Sequence, residues 1–186
     1  MTGVIESAEP LVVEADSGIL SGTSEAVFSV DRTRRYLLVR LWESVAPMTW
    51  IMLNPSTADA FKADPTIKRC MTFAQREGCG GINVVNLFAH RSPDPAALRM
   101  AADPVGPAND SAIDVYAEDG SLVVAAWGNG GVLNGRAREV GQRLAAAGVR
   151  LWCLGVTKGG HPKHPLARGR ERVPDDAPLI PWQVPS

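Results

Sequence analysis

Hydrophobic residues in this chain gather into short unbroken runs, each halted by a polar or turn-forming cluster, and the runs alternate with stretches of helical spacing. Met48 to Leu53 stops at Asn54-Pro55-Ser56-Thr57. Its apolar residues do not alternate, which predicts a strand buried on both faces, and Pro55 ends it because proline gives a ladder no N–H. Ile82 to Leu87 is interrupted by Asn86, Leu122 to Ala126 stops at Trp127-Gly128, and Leu151 to Leu154 stops at Gly155, ahead of Thr157 to His164. Between the first two runs, Ile67, Cys70, Met71, Phe73 and Ala74 recur at helical spacing. Asp64-Pro65 supplies a cap oxygen and a first-position proline for that helix, and Gly78 lies just past its end. Asn109-Asp110 is placed to cap a second helix to about Tyr116, and Gly135 to Ala147 reads as a third, alanine-rich one. Such alternation predicts parallel βαβ units with helices on both faces, hence an α/β fold with a mainly parallel sheet. Ligands in open sheets of this kind bind at the carboxyl edge. Four strand ends with polar residues are expected to meet there in one crevice.

The ends of the chain read differently. Residues 1–24 are rich in Glu, Ser and Gly, with one β-like run at Leu11-Val12-Val13, and predict an arm or an edge strand ahead of a single domain over 25–186. Glu25 to Val30 and Arg35 to Trp42 flank Asp31-Arg32-Thr33-Arg34 and predict an N-terminal β-hairpin. The segment Phe88 to Asp103 is too long for a mere connector, which marks it as functional. From Gly155 onward the chain is loop-like, basic and finally proline-rich.

Composition narrows the function classes. The 186 residues suit one domain, and 45% hydrophobic with 21% charged residues describes an ordinary globule. Net charge is −1, so any contact with DNA must come from a local basic patch. No apolar run approaches the roughly 18 residues of a membrane span, and the amino terminus lacks a signal-peptide pattern, so a cytoplasmic protein is expected. Cys70, Cys79 and Cys153 have no zinc or iron–sulfur spacing and are expected as reduced, buried thiols. No metal or other cofactor is implied.

Candidate chemistry lies at the strand ends. Asn86 in an apolar strand must find partners for its amide, and a planar amide suits the hydrogen-bonding edge of a nucleobase as well as it suits a loop cap. Asn54, Pro55 and Ser56 are candidates for the same pocket, although these residue types also favour turns for backbone reasons. His161 and His164 lie between prolines, and an imidazole in a polar cleft can stabilise a leaving group near neutral pH. Asp59 and Asp64 are the acidic candidates. Lys62, Lys158, Lys163, Arg168 and Arg170 are placed to hold phosphates, with Lys68, Arg69 and Arg172 nearby; a solvated face is the plainer account of such a run. Phe61, Phe88 and Trp127 are candidates to stack on a flat ligand, against a default of core packing.

At Met52-Leu53-Asn54-Pro55-Ser56-Thr57-Ala58-Asp59, with Asp64-Pro65-Thr66, Val85-Asn86-Leu87-Phe88-Ala89, Asn109-Asp110, Ala126-Trp127-Gly128 and Lys163-His164-Pro165-Leu166, the chain resembles the bacterial and phage-associated DUF1643 family from about Arg35 to Leu166. The order of its parts is also similar, more distantly, to the uracil-DNA glycosylase superfamily: an Asn-Pro loop after a strand, an Asn-bearing strand, a strand ending in Gly, and a His-Pro loop. That resemblance implies a three-layer α/β/α sandwich and a nucleobase glycosylase that flips a modified or mismatched base out of DNA. It assigns base reading to Asn86, placement of the attacking water to Asn54, and stabilisation of the departing base to His164. Asn54 matches the mismatch-specific members and stands where the fastest members have Asp. An amide orients a water without accepting its proton, so a base role passes to Asp59 or Asp64. A non-catalytic nucleotide binder, or a hydrolase or transferase for a free nucleotide, is the rival expectation.

Overall fold

In a computed structural model that describes residues 4–18, 22–119 and 122–184, eight strands form one sheet. They are β1 (Leu11–Gly18), β2 (Gly22–Ser29), β3 (Arg35–Leu41), β4 (Met48–Met52), β5 (Gly81–Asn86), β6 (Leu122–Ala125), β7 (Leu151–Cys153) and β8 (Ile180–Trp182), in the order β1-β2-β3-β5-β4-β6-β7-β8. The strands expected to be parallel are so: β5, β4, β6 and β7 form a parallel centre. The sheet as a whole is mixed and not mainly parallel, because the pairs β1·β2, β2·β3, β3·β5 and β7·β8 are all antiparallel. The expected hairpin is β2–β3, and its turn is held by Asp31, whose carboxylate accepts from the Ser29 hydroxyl and from the N–H and hydroxyl of Thr33. Those bonds favour the ionised form and hold its pKa down to about 2.

Three α-helices are described: α1 (Pro65–Arg76), α2 (Asn109–Asp119) and α3 (Arg136–Ala146). Helix α1 buries Ile67, Cys70, Phe73 and Ala74 against Trp50, Ile82 and Val84 on one face of the sheet. Helices α2 and α3 bury Ile113, Tyr116, Val140 and Leu144 on the other. The amino end of α1 is capped as its sequence predicts, with Asp64 accepting from the N–H of Ile67 at 2.9 Å, and Gly78 follows the helix at φ +73°. Asn109 does not act as a conventional cap. It is fully buried, and its Nδ2 donates to the carbonyls of Asn86 and Leu87 at 3.0 and 3.1 Å, where β5 runs out of strand partners.

At the amino terminus, Leu11–Gly18 pairs with β2 along its whole length, so the edge-strand alternative describes this segment, and the boundary drawn after Ser24 falls inside β2. Residues 1–3 and 19–21 of the expected arm lie outside the described residues. The loop-like carboxyl tail contains β8, which the sequence reading missed; Pro181 is tolerated there because β8 is an edge strand. Cys70, Cys79 and Cys153 are buried and form no disulfide. No described helix is long and apolar enough to cross a membrane.

One register feature positions the site. Between β2 and β3 the pairing shifts, with Val27 opposite Leu37 but Phe28 opposite Arg35. Tyr36 is the extra residue, so Tyr36 and Leu37 both enter the core beneath α2. Strict alternation back from Leu38, which packs on the α1 side, would send Arg35 to the α2 side; the bulge returns it to the α1 side opposite Phe28.

Close backbone approach fixes the start of β5. A Cβ on Gly80 would lie 2.4 Å from the Val45 carbonyl oxygen and 2.7 Å from that of Glu43. The Gly80 carbonyl also accepts from the N–H groups of Trp42 and Glu43. Gly80→Ala is therefore expected to lower unfolding free energy by roughly 1–3 kcal/mol, the usual range for forced overpacking. A urea melt checks this, and an unchanged midpoint would mean that the segment yields without cost.

Candidate functional site

The carboxyl ends of β4 and β5, the amino end of α1 and the loops after β5, β6 and β7 enclose a cavity of about 400 Å³. This is within the usual size range of small-ligand pockets. Six residues expected at the site line it: Asn54 and Ser56 after β4, Asp64 at the α1 cap, Asn86 at the end of β5, Trp127 after β6 and His164 after β7. Met52, Val84 and Ile67 add apolar wall. The switch in strand order explains the convergence, since the chain leaves β4 for β5 on one side and later returns to β6 on the other.

Each polar group has a distinct role. Asn86 is 1% exposed, its backbone carbonyl is held by Asn109, and its Nδ2 has no hydrogen-bond partner. Asn54 is tied locally: its Nδ2 donates to the carbonyl of Ser92 at 2.9 Å and to that of Pro55 at 3.2 Å, stapling the β4 loop to the β5 loop. Asp64 uses Oδ1 to cap α1. His164 accepts the N–H of Leu166 at Nδ1, 3.1 Å away, which leaves Nε2 to carry the proton of a neutral ring. Burial lowers the His164 pKa below the ordinary histidine range, and the nearby Asp64 charge opposes this. Trp127 is buried with its ring edge-on to Trp182 at 5.1 Å, and its pyrrole edge lies against Gly131, where any Cβ would collide.

Several expected residues lie elsewhere. Asp59 accepts from the N–H groups of Phe61 and Lys62 to cap its own turn, and it does not line the cavity. Pro55 is buried outside the lining, and Phe61 is 70% exposed. Phe88 is fully buried in the core beneath α2, which removes it as a stacking platform. His161 lies outside the lining, where its backbone N–H donates to Thr157. None of Lys62, Lys158, Lys163, Arg168 or Arg170 lines the cavity; Lys163 pairs with Glu171 at 3.3 Å. Among the neighbouring cations, Arg69 pairs with Asp175 and lies over Phe73. Among the described residues no three His, Cys, Asp or Glu side chains gather as metal ligands would.

Three polar lining residues were not expected. Ser92 comes from the long loop that the sequence marks as functional, and Thr66 follows the α1 cap. Arg35 is the consequential one. It is 2% exposed, its Nη1 donates to the Ala58 carbonyl at 2.8 Å, and its Nε has no hydrogen-bond partner. Burial lowers its pKa to about 10, opposed chiefly by the Asp64 charge, so it stays cationic at neutral pH. A cation at the head of an apolar strand carries no sequence signal of its destination; the bulge decides it.

A larger, more open hollow of about 780 Å³ lies at the other end of the parallel strands, lined by Leu122, Val149, Arg150 and Trp152 among others. None of the expected site residues reaches it.

The model of the family described as protein of unknown function (DUF1643) matches residues 35–166, well over half of the chain. The chain belongs to the DUF1643 family. The DUF1643 match runs from the first residue of β3 to just past His164 and so encloses every residue that lines the 400 Å³ cavity. It leaves out β1, β2 and β8. Comparison with curated proteins and with solved structures returns no match.

Proposed function

We propose that this DUF1643 protein hydrolyses the N-glycosidic bond of a modified or mismatched base in DNA. The observation that carries the reading is a single cavity lined by Asn86, Asp64, Trp127 and His164, groups that lie far apart in sequence. The order of motifs shared with the uracil-DNA glycosylase superfamily supports it as well. In this reading the base enters beside Trp127 and its edge meets the Asn86 amide. Water adds through oxygen to the sugar C1′ while the bond from C1′ to the base nitrogen breaks and its electron pair leaves with the base. Nε2–H of His164 donates to the negative charge that grows on the base, and the free oxygen of Asp64 takes the proton lost by the water. Asn54 holds the two loops in place and has only Oδ1 left to orient the water.

A free nucleotide in place of DNA is favoured by one observation: Lys158, Arg168 and Arg170 do not line the cavity, and net charge is −1. Oligonucleotides bearing uracil, mismatched thymine and hypermodified pyrimidines distinguish the two. Wild type is expected to generate alkali-labile sites in at least one of them, with binding that weakens steeply as salt rises. Asp64→Asn keeps an N-cap residue and is expected to lower that rate at least tenfold. Intact oligonucleotides throughout, with release of base from a free nucleotide, would move the substrate from DNA to the nucleotide.

A further inference from the structure

Besides Nε1 of Trp127, which lies against Gly131, two buried N–H donors on the walls of this cavity have nothing to donate to. One is Nε of Arg35, the other Nδ2 of Asn86; the residues are 2% and 1% exposed, and both line the cavity. Arg35 forms no ion pair among the described residues: Nη1 is spent on the Ala58 carbonyl, a neutral acceptor. Asp64 lines the same cavity and acts on Arg35 through its charge, without an ion pair between them. The other basic residue that shares the buried face of β3 is Arg40, whose guanidinium is used on the carbonyls of Val39 and Asp59. A buried charge without a partner is costly, as is a buried donor without an acceptor. Both costs are removed together by an anionic oxygen group, which carries negative charge and several acceptors, and a guanidinium fork matches phosphate and carboxylate geometry. The positive end of α1, beginning at Pro65 beside the cavity, favours the same sign of charge.

We propose that the cavity holds its ligand by an anionic oxygen group, a phosphate or a carboxylate, seated against Arg35 with Asn86 as the second donor. The inference rests on the preceding section only in taking this cavity as the ligand site, and it holds whether or not a glycosidic bond is cut. It adds a requirement on the ligand: beyond a flat ring, it carries a negative group that reaches the β3 side of the pocket.

Isothermal titration with inorganic phosphate and, separately, sodium acetate tests it at matched ionic strength. Wild type is expected to bind at least one of them; preference for phosphate assigns a phosphate-bearing ligand, and preference for acetate a carboxylate-bearing one. Arg35→Gln is expected to weaken the binding at least tenfold. Because Arg35 also holds the Ala58 carbonyl, Asn86→Asp provides the second variant: it puts a carboxylate on the cavity wall while the backbone bonds from Asn109 remain, and it is expected to lose anion binding at least tenfold with a cooperative thermal transition preserved. Failure of wild type to bind either anion overturns the proposal, as does equal binding by wild type and Asn86→Asp. Anion binding without any base release would leave this inference standing and remove the glycosylase.

Discussion

Arg136→Ala is expected to lower unfolding free energy by roughly 2–4 kcal/mol. Arg136 opens α3 with only 3% of its side chain exposed. Its Nε donates to the Leu87 carbonyl at 3.0 Å, and its terminal nitrogens pair with Asp110 and with Glu139, the latter at 3.1 Å. One side chain therefore ties α2 and α3 to the end of β5. Breaking a fully buried ion pair costs about 3–5 kcal/mol, but here Asp110 and Glu139 are 47% and 59% exposed and water takes them over, which trims the loss. What remains is the removed packing and a Leu87 carbonyl left with Asn109 as its partner. Urea denaturation reads the effect as a lower midpoint at constant slope, with Glu139→Gln as a control that changes stability by less than about 1 kcal/mol. Equal effects of the two substitutions would mean that Arg136 acts as a surface charge and not as a tie.

His164→Ala is expected to reduce base release by about 10²–10³-fold, the loss found when one pre-positioned donor to a developing anion is removed. The pH profile adds a sign. Because Leu166 N–H points at Nδ1, protonating that nitrogen sets one N–H against another, so the working ring is neutral with its proton on Nε2. Activity is then retained as pH rises through neutrality and is lost on the acid side. Burial lowers the pKa, so that limb falls below the ordinary histidine midpoint. His164→Gln returns an N–H donor that does not titrate in this range, and it should recover part of the rate while removing the imidazole's part of the acid limb. A rate in His164→Ala equal to wild type, or an acid limb unchanged in His164→Gln, would take the ring out of the chemistry.

The parts of this fold that local sequence determines were legible. Asp64-Pro65 and Gly78 bracket α1 because capping and left-handed backbone are local preferences, and β4, β5, β6 and β7 show as apolar runs because both of their faces are covered. What depends on pairing was not legible. Ile180-Pro181-Trp182 reads as proline-rich coil, and only β7 makes it a strand. Site residues divide the same way. Asn86 could be picked out as a polar group inside an apolar run, and His164 as an imidazole between prolines in the loop after one. Phe88 was a false candidate because sequence does not say which face a residue after a strand turns toward. Asn54 lines the cavity as expected, but its Nδ2 is spent on the Ser92 and Pro55 carbonyls, a use that no spacing reveals.

The extra residue at Tyr36 also separates two kinds of change in the hairpin. Which way Arg35 turns is set where β3 pairs with β2, at the step from Val27 to Phe28, and not by how far β1 extends along the other edge of β2. Changes along β1 can leave that cation's orientation as it is, as long as Val27 and Phe28 of β2 keep their register against Leu37 and Arg35.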